Sequence, residues 1–145
     1  MRQAPKPRSR RAAARAEDKD GAPLRQVGLT IRVDFGAFGY LGPGKIALME
    51  LIAEHGSISA AGKEMDMSYR RAWLLVDEIN RIFREPLVEK QMGGSGGGGA
   101  RLSPLGQDVV RRYRAIQRAA AAATAADIKA LKCALADRPV PADHG

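Results

Sequence analysis

Six side chains in residues 57–76 could do chemistry on an anionic partner: Ser57, Ser59, Ser68, Tyr69, Arg70 and Arg71. A serine hydroxyl accepts a hydrogen bond from a backbone N–H that a new helix cannot satisfy itself, so Ser57 and Ser68 each mark a helix start. Between them fits one short helix and a tight turn holding Asp66, a residue that tolerates the left-handed backbone. The helix opening at Ser68 then offers a phenol and two guanidinium groups from its first turn. In a helix-turn-helix that is the place from which the second helix meets base edges and phosphates in the major groove. The chemistry expected of this stretch is hydrogen bonding to double-stranded DNA.

A second element would sit beside it. Residues 87–92 and 100–103 are two short strand candidates around Gly-Gly-Ser-Gly-Gly-Gly-Gly at 93–99. This pattern predicts a hairpin with a glycine tip, a "wing". Glycine lets backbone come close to a phosphate and donate N–H groups with no side chain in the way. Lys90, Gly94, Ser95, Gly96 and Arg101 are the expected backbone-holding residues. The plainer alternative is a floppy linker. A phosphate-binding P-loop fits poorly, because no Lys-Ser/Thr follows the glycines.

The remaining elements must position these two. Residues 29–35 alternate apolar and polar at period two, predicting a half-buried strand with Leu29, Ile31, Val33 and Phe35 inward. A turn-rich loop at 36–44 leads to a helix over 45–55, with Ile46, Met49 and Ala53 in one line, Leu48, Leu51 and Ile52 beside it, and Gly56 as its stop. The next helix runs through Ile58, Ala60, Ala61 and Met65, with small residues where a crossing helix can approach. From Ser68 onward, Ala72, Leu75, Val76, Ile79 and Phe83 share one face and Arg70, Asp77 and Arg81 the other. Trp73 and Leu74 lie off the apolar face; cover by another segment or a second subunit is expected, contact with DNA being the alternative. Pro86 stops this helix. Ser103 can cap a last, long helix that Pro104 opens. Its stripe of Leu105, Val109, Tyr113, Ile116 and Ala120 suggests a two-fold dimer interface, against the alternative that it folds back on the core.

The 145-residue chain carries a formal charge of +8 and a pI near 10.1. That balance favours an anionic partner over catalysis on acidic substrates. Residues 1–28 hold eight Lys/Arg against three Asp/Glu, a net +5, leaving sixteen against thirteen, +3, for the rest. A basic tail so poor in bulky apolar residues is expected to stay disordered, as a DNA arm or a solubilising leader. One cysteine, Cys133, excludes an intrachain disulfide and a thiolate metal cluster and fits a reducing compartment, here the cytoplasm. There is no apolar run of membrane-spanning length. His55 and His144 stand in no ligand or general-base spacing, so no catalytic residue, metal or cofactor is expected.

The residues Gly56-Ser-Ile-Ser-Ala-Ala-Gly-Lys63, Met67-Ser-Tyr-Arg-Arg-Ala-Trp73, Pro86-Leu-Val-Glu-Lys90, the glycine tract and Ala100-Arg-Leu-Ser-Pro-Leu-Gly106 closely resemble the DNA-binding domain of ModE-type molybdate-responsive transcription regulators. More distantly they resemble the winged helix of LysR-type regulators. The resemblance spans roughly residues 29–118. It implies a homodimer that binds palindromic operator DNA with the helix from Ser68 in the major groove. Full-length members carry oxyanion-binding domains, whereas this sequence ends soon after the long helix, so molybdate sensing is not carried over and a separate oxyanion-sensing partner is one way to supply it. The expected architecture is mainly α with a small β-hairpin: a basic tail at 1–28, a winged helix-turn-helix at 29–103, a dimerisation helix at 104–136 and a frayed end at 137–145. The expected function is sequence-specific transcription regulation, the alternative being a non-specific architectural DNA-binding or protein-interaction module.

Overall fold

The computed structural model describes residues 27–91 and 98–137. The expectations for the basic tail, the glycine tip and the last residues fall outside them. The chain divides into two units, one of residues 29–126 and one of residues 1–28 with 127–145. Among the described residues the order is β1 (Val33–Asp34), a 3-10 turn (Gly36–Phe38), β2 (Tyr40–Leu41), α1 (Pro43–His55), α2 (Ile58–Glu64), α3 (Tyr69–Ile82), β3 (Val88–Gln91), β4 (Gly99–Leu102) and α4 (Pro104–Cys133). The protein is mainly α, with two small antiparallel strand pairs.

The strand expected over 29–35 is mostly not one. Only Val33 and Asp34 pair, opposite Leu41 and Tyr40. Gly36 and Gly39, at φ 62° and 122°, reverse the chain at once, and α1 begins at Pro43, so no partner strand exists for residues farther upstream. The alternation survives as burial: Ile31, Val33 and Phe35 pack against the core, and Leu29 is exposed. Phe35 meets Phe83 edge to face, ring centroids 5.4 Å apart.

Helix α1 starts two residues earlier than its apolar pattern suggests, with Pro43 at its first position, where a missing N–H costs nothing. Gly56 ends it in the left-handed conformation, its N–H donating to Ile52 O. Ile46, Leu48, Met49 and Ile52 are fully buried; Ala53, expected among them, is exposed. Lys45 is only 5% exposed, and its ammonium donates to Tyr40 O, lies 3.6 Å from the Tyr40 ring centroid and 3.4 Å from Glu78. Those partners offset the desolvation of a buried charge.

Helix α4 folds back along its first half, which corrects part of the expected dimer stripe. Val109 and Tyr113 are buried in the chain's own core and Leu105 packs against it, because β1 and the end of α3 offer that face apolar cover; Ile116 remains 46% exposed. Ser103 caps the helix, its Oγ accepting from Gly106 N and donating to Pro86 O. Arg114 pairs with Glu50 of α1, which raises the guanidinium's pKa. On the exposed side Arg112 and Arg111 bracket Asp108, and the Arg112 hydrogen bond leads in holding that carboxyl below its usual range.

The Tyr113 hydroxyl donates to Ile31 O at 2.6 Å, and burial pushes the phenol's pKa up against the opposing pull of Arg114. With the folded value above an unfolded one near ~10, this contribution to stability is complete below about pH 10 and fades as pH climbs through the folded value. Tyr113→Phe should cost about 1 kcal/mol at neutral pH through the lost hydrogen bond. It should also flatten the alkaline fall in stability, read by denaturant unfolding at neutral and alkaline pH. An unchanged alkaline slope would place the titration elsewhere.

Candidate nucleic-acid interface

Local chemistry sets the helix pair. Ser57 Oγ accepts from Ala60 N at 3.2 Å and Ser68 Oγ from Arg71 N at 3.1 Å, so each serine caps its helix with an acceptor lone pair and keeps its own O–H to donate elsewhere. Asp66 takes the left-handed turn at φ 53°, and Met67 N returns to Gly62 O at 3.0 Å. A Cβ placed on Gly62 would lie 2.8 Å from that of Ala72, so the two helices cross as closely as backbone permits. Ala72, Leu75, Val76, Ile79 and Ile82 are thereby turned inward. Tyr69, 63% exposed, and Arg70, Arg71 and Leu74 are left outside, with exposed Ser59 on α2.

The hairpin is held against this pair by three ties. In its register Val88 faces Leu102, Glu89 faces Arg101, Lys90 faces Ala100 and Gln91 faces Gly99. Val88, Ala100 and Leu102 are buried, and alternation puts Lys90 on their side. Its ammonium lies 4.1 Å from the Trp73 ring centroid, while Tyr69 covers Trp73 at 5.7 Å with a 60° tilt. The second tie is Asn80, whose amide oxygen accepts from Leu87 N and Val88 N and whose amide nitrogen donates to Val88 O. The third runs from Ala100 N to Gly56 O at 2.9 Å, close enough that a Cβ on Gly99 would stand 3.0 Å from that carbonyl.

Ser57, Ser59, Tyr69 and Lys90 therefore line one groove of about 360 Å3 together with Trp73, Gln91 and Gly99. Ser68, Arg70 and Arg71 stand outside that lining at the start of α3. Arg101 is on the hairpin's other face, where its Nε donates to Glu89 at 3.1 Å, a cross-strand pair in which Arg101 is mostly in water and Glu89 partly buried. Gly94, Ser95 and Gly96 lie outside the described residues. Trp73 is half-buried as expected, but its cover is Tyr69 and the lysine of the hairpin, and Leu74 has no such cover.

Sequence reading missed Asn80. An asparagine inside an amphipathic helix and adjacent to its buried Ile79 was the available signal, since such a side chain competes with its own helix unless it bonds elsewhere. Among the described residues no three His, Cys, Asp or Glu stand together as metal ligands. No helix among them is long and apolar enough to cross a membrane.

The surface so assembled has cations, hydroxyls and a phenol at a helix start and a lysine on an adjoining hairpin, a set that can bond phosphates and base edges. No protein-family model matches the chain. The molybdenum-pterin-binding protein MopA of Rhodobacter capsulatus is 41% identical over 73 residues, 50% of this chain and 28% of that protein. The molybdenum transport protein ModE of Azotobacter vinelandii is likewise 41% identical over 73 residues, 50% of this chain and 27% of that protein. The DNA-binding transcriptional dual regulator ModE of Escherichia coli strain K12 is 42% identical over 71 residues, 49% of this chain and 27% of that protein. The matched stretch thus spans little more than a quarter of each relative's length. Over about half of its residues, the chain is related by sequence to the ModE and molybdenum-pterin-binding proteins, the likeness its own motifs carry.

Proposed function

We propose that this protein is a sequence-specific DNA-binding transcription regulator whose helix α3 enters the major groove while the β3–β4 hairpin holds the flanking backbone. The observation that carries the reading is the exposed first turn of α3, with Ser68, Tyr69, Arg70 and Arg71 outward beside the tethered Lys90. Arg70 points away from the buried face and would bond guanine O6 and N7, the commonest specific pairing. Ser57, Ser59, Lys90 and the wing backbone, including Gly94, Ser95 and Gly96, would bond phosphates, as would Arg101 on the hairpin's outer face once drawn from Glu89. Residues 29–103 form the reading module in this account, acting in the cytoplasm on chromosomal DNA and without a catalytic role.

The dimer reading now narrows to Ile116 and Ala120. An apolar groove of about 210 Å3 lined by Val33, Phe35, Leu41, Phe83 and Ile116 offers a second copy a place to pack. Two copies so joined would read paired half-sites of a palindromic operator. The names of the relatives point to molybdenum, and sensing of an oxyanion would come from segments or partners beyond this reading module.

Two measurements test the proposal. Arg70→Ala should weaken binding to a duplex selected from a random library by about 1–3 kcal/mol, with a much smaller loss on random-sequence DNA. Equal loss on both would reduce Arg70 to a phosphate contact. Ile116→Glu should shift the protein from dimer to monomer in sedimentation while leaving its far-UV circular dichroism intact. A wild-type protein that sediments as a monomer, or a variant that still dimerises, would remove this face from the interface.

A further inference from the structure

We propose that Leu74 reads a thymine, its side chain making apolar contact with the C5 methyl group in the major groove. The inference rests on the DNA-reading assignment above and goes beyond it by tying one side chain to one base.

On α3 the buried positions are Ala72, Leu75, Val76, Ile79 and Ile82. Arg70, Leu74, Asp77 and Arg81 follow one another at steps of three and four on the opposite side, which makes them a single outward stripe. Leu74 is 48% exposed, and it is the one large aliphatic side chain on that stripe. Its neighbours one turn away are Arg70 and Arg71 toward the helix start and Asp77 and Glu78 beyond. A protein partner would need a contiguous apolar patch of some hundreds of Å2, which a lone leucine among four charges does not provide.

The major groove of a duplex matches the half of that pattern nearer the helix start, Arg70, Arg71 and Leu74, with Asp77 and Glu78 lying beyond it toward the helix end. The groove offers guanine O6 and N7 to Arg70 and backbone phosphates to Arg71, and the thymine C5 methyl is the apolar group among its base edges. Leu74 stands one turn past Arg70, roughly 6 Å along the helix, so the thymine should fall within about two base pairs of the base that Arg70 contacts.

Deoxyuridine lacks only that methyl, which makes the test direct. Wild-type protein and Leu74→Ala are each used to select sites from a duplex library with a randomised centre. Each thymine of the wild-type site is then replaced singly by deoxyuridine and both proteins are titrated against the set. One replacement should weaken the wild type about 4-fold, the value of one buried methyl. Leu74→Ala should be weaker by a similar factor on the parent duplex and indifferent to that replacement. The variant sits at an exposed helical position, where alanine favours the helix, and its circular dichroism should match the wild type.

The inference fails if no replacement affects the wild type, if the penalty persists in Leu74→Ala, or if the variant loses affinity equally for random DNA. It also fails if Leu74→Ala changes self-association, which would make Leu74 a protein contact. If the wild type enriches no sequence at all, the DNA-reading assignment itself fails and takes this inference with it; enrichment without a deoxyuridine effect removes Leu74 alone.

Discussion

How near α2 and α3 can approach decides which side chains this protein shows to its surroundings. Gly62 and Ala72 meet where a single added carbon would fall 2.8 Å from another. Asp66, held at φ 53°, turns the chain between the helices. With the spacing and angle so set, five residues of α3 are committed to the core. The outward stripe from Arg70 follows by geometry alone, because a helix that buries one face at this periodicity must expose the opposite one. The two serine caps add precision: each begins its helix at a defined residue, so Tyr69 and Arg70 emerge at the very tip of α3 rather than from its middle.

The hairpin depends on the same crossing. Gly56, which closes α1, also accepts the hydrogen bond from Ala100, and Asn80 on α3 satisfies three backbone groups at the hairpin's base. Ser103 ties the segment before the hairpin to the helix after it. These bonds fix the strands, and the stack of Tyr69, Trp73 and Lys90 then joins the hairpin to the first turn of α3. If Lys90 bonds a phosphate as proposed, its place over the indole before any ligand arrives would reduce the entropy lost on binding, the usual benefit of preorganisation.

What could be read from the sequence were the features decided within a few residues. The caps at Ser57 and Ser68, the left-handed turn at Asp66, the stop at Gly56, the cap at Ser103 and the strands around the glycine tract all follow from local chemistry. The main apolar faces of α1 and α3 were readable from periodicity, though Ala53 lies on the exposed side of α1. What required the fold were contacts between residues far apart in the chain. Tyr113 reaches Ile31, Lys45 is buried against Tyr40 and Glu78, and Asn80 spends its amide on the hairpin. The stripe on α4 showed an apolar face without showing what covers it, and the answer divides along the helix: Val109 and Tyr113 serve the core and Ile116 does not. Of the surface proposed to read DNA, the serines, Tyr69, the arginines and Lys90 were chosen by type and spacing, whereas the pairing of Arg101 with Glu89 came only from strand register.

The central claim, that the tip of α3 selects among sequences, is tested most directly by titrating the purified protein against the DNA upstream of its own coding region and a shuffled duplex of equal length, at two salt concentrations. A sequence reader should favour the natural duplex by about 10³ or more, with the ratio persisting as salt lowers both affinities. Equal affinities that fall together with salt would mean that the cations serve phosphates alone, and the account of α3 as a reader would be wrong.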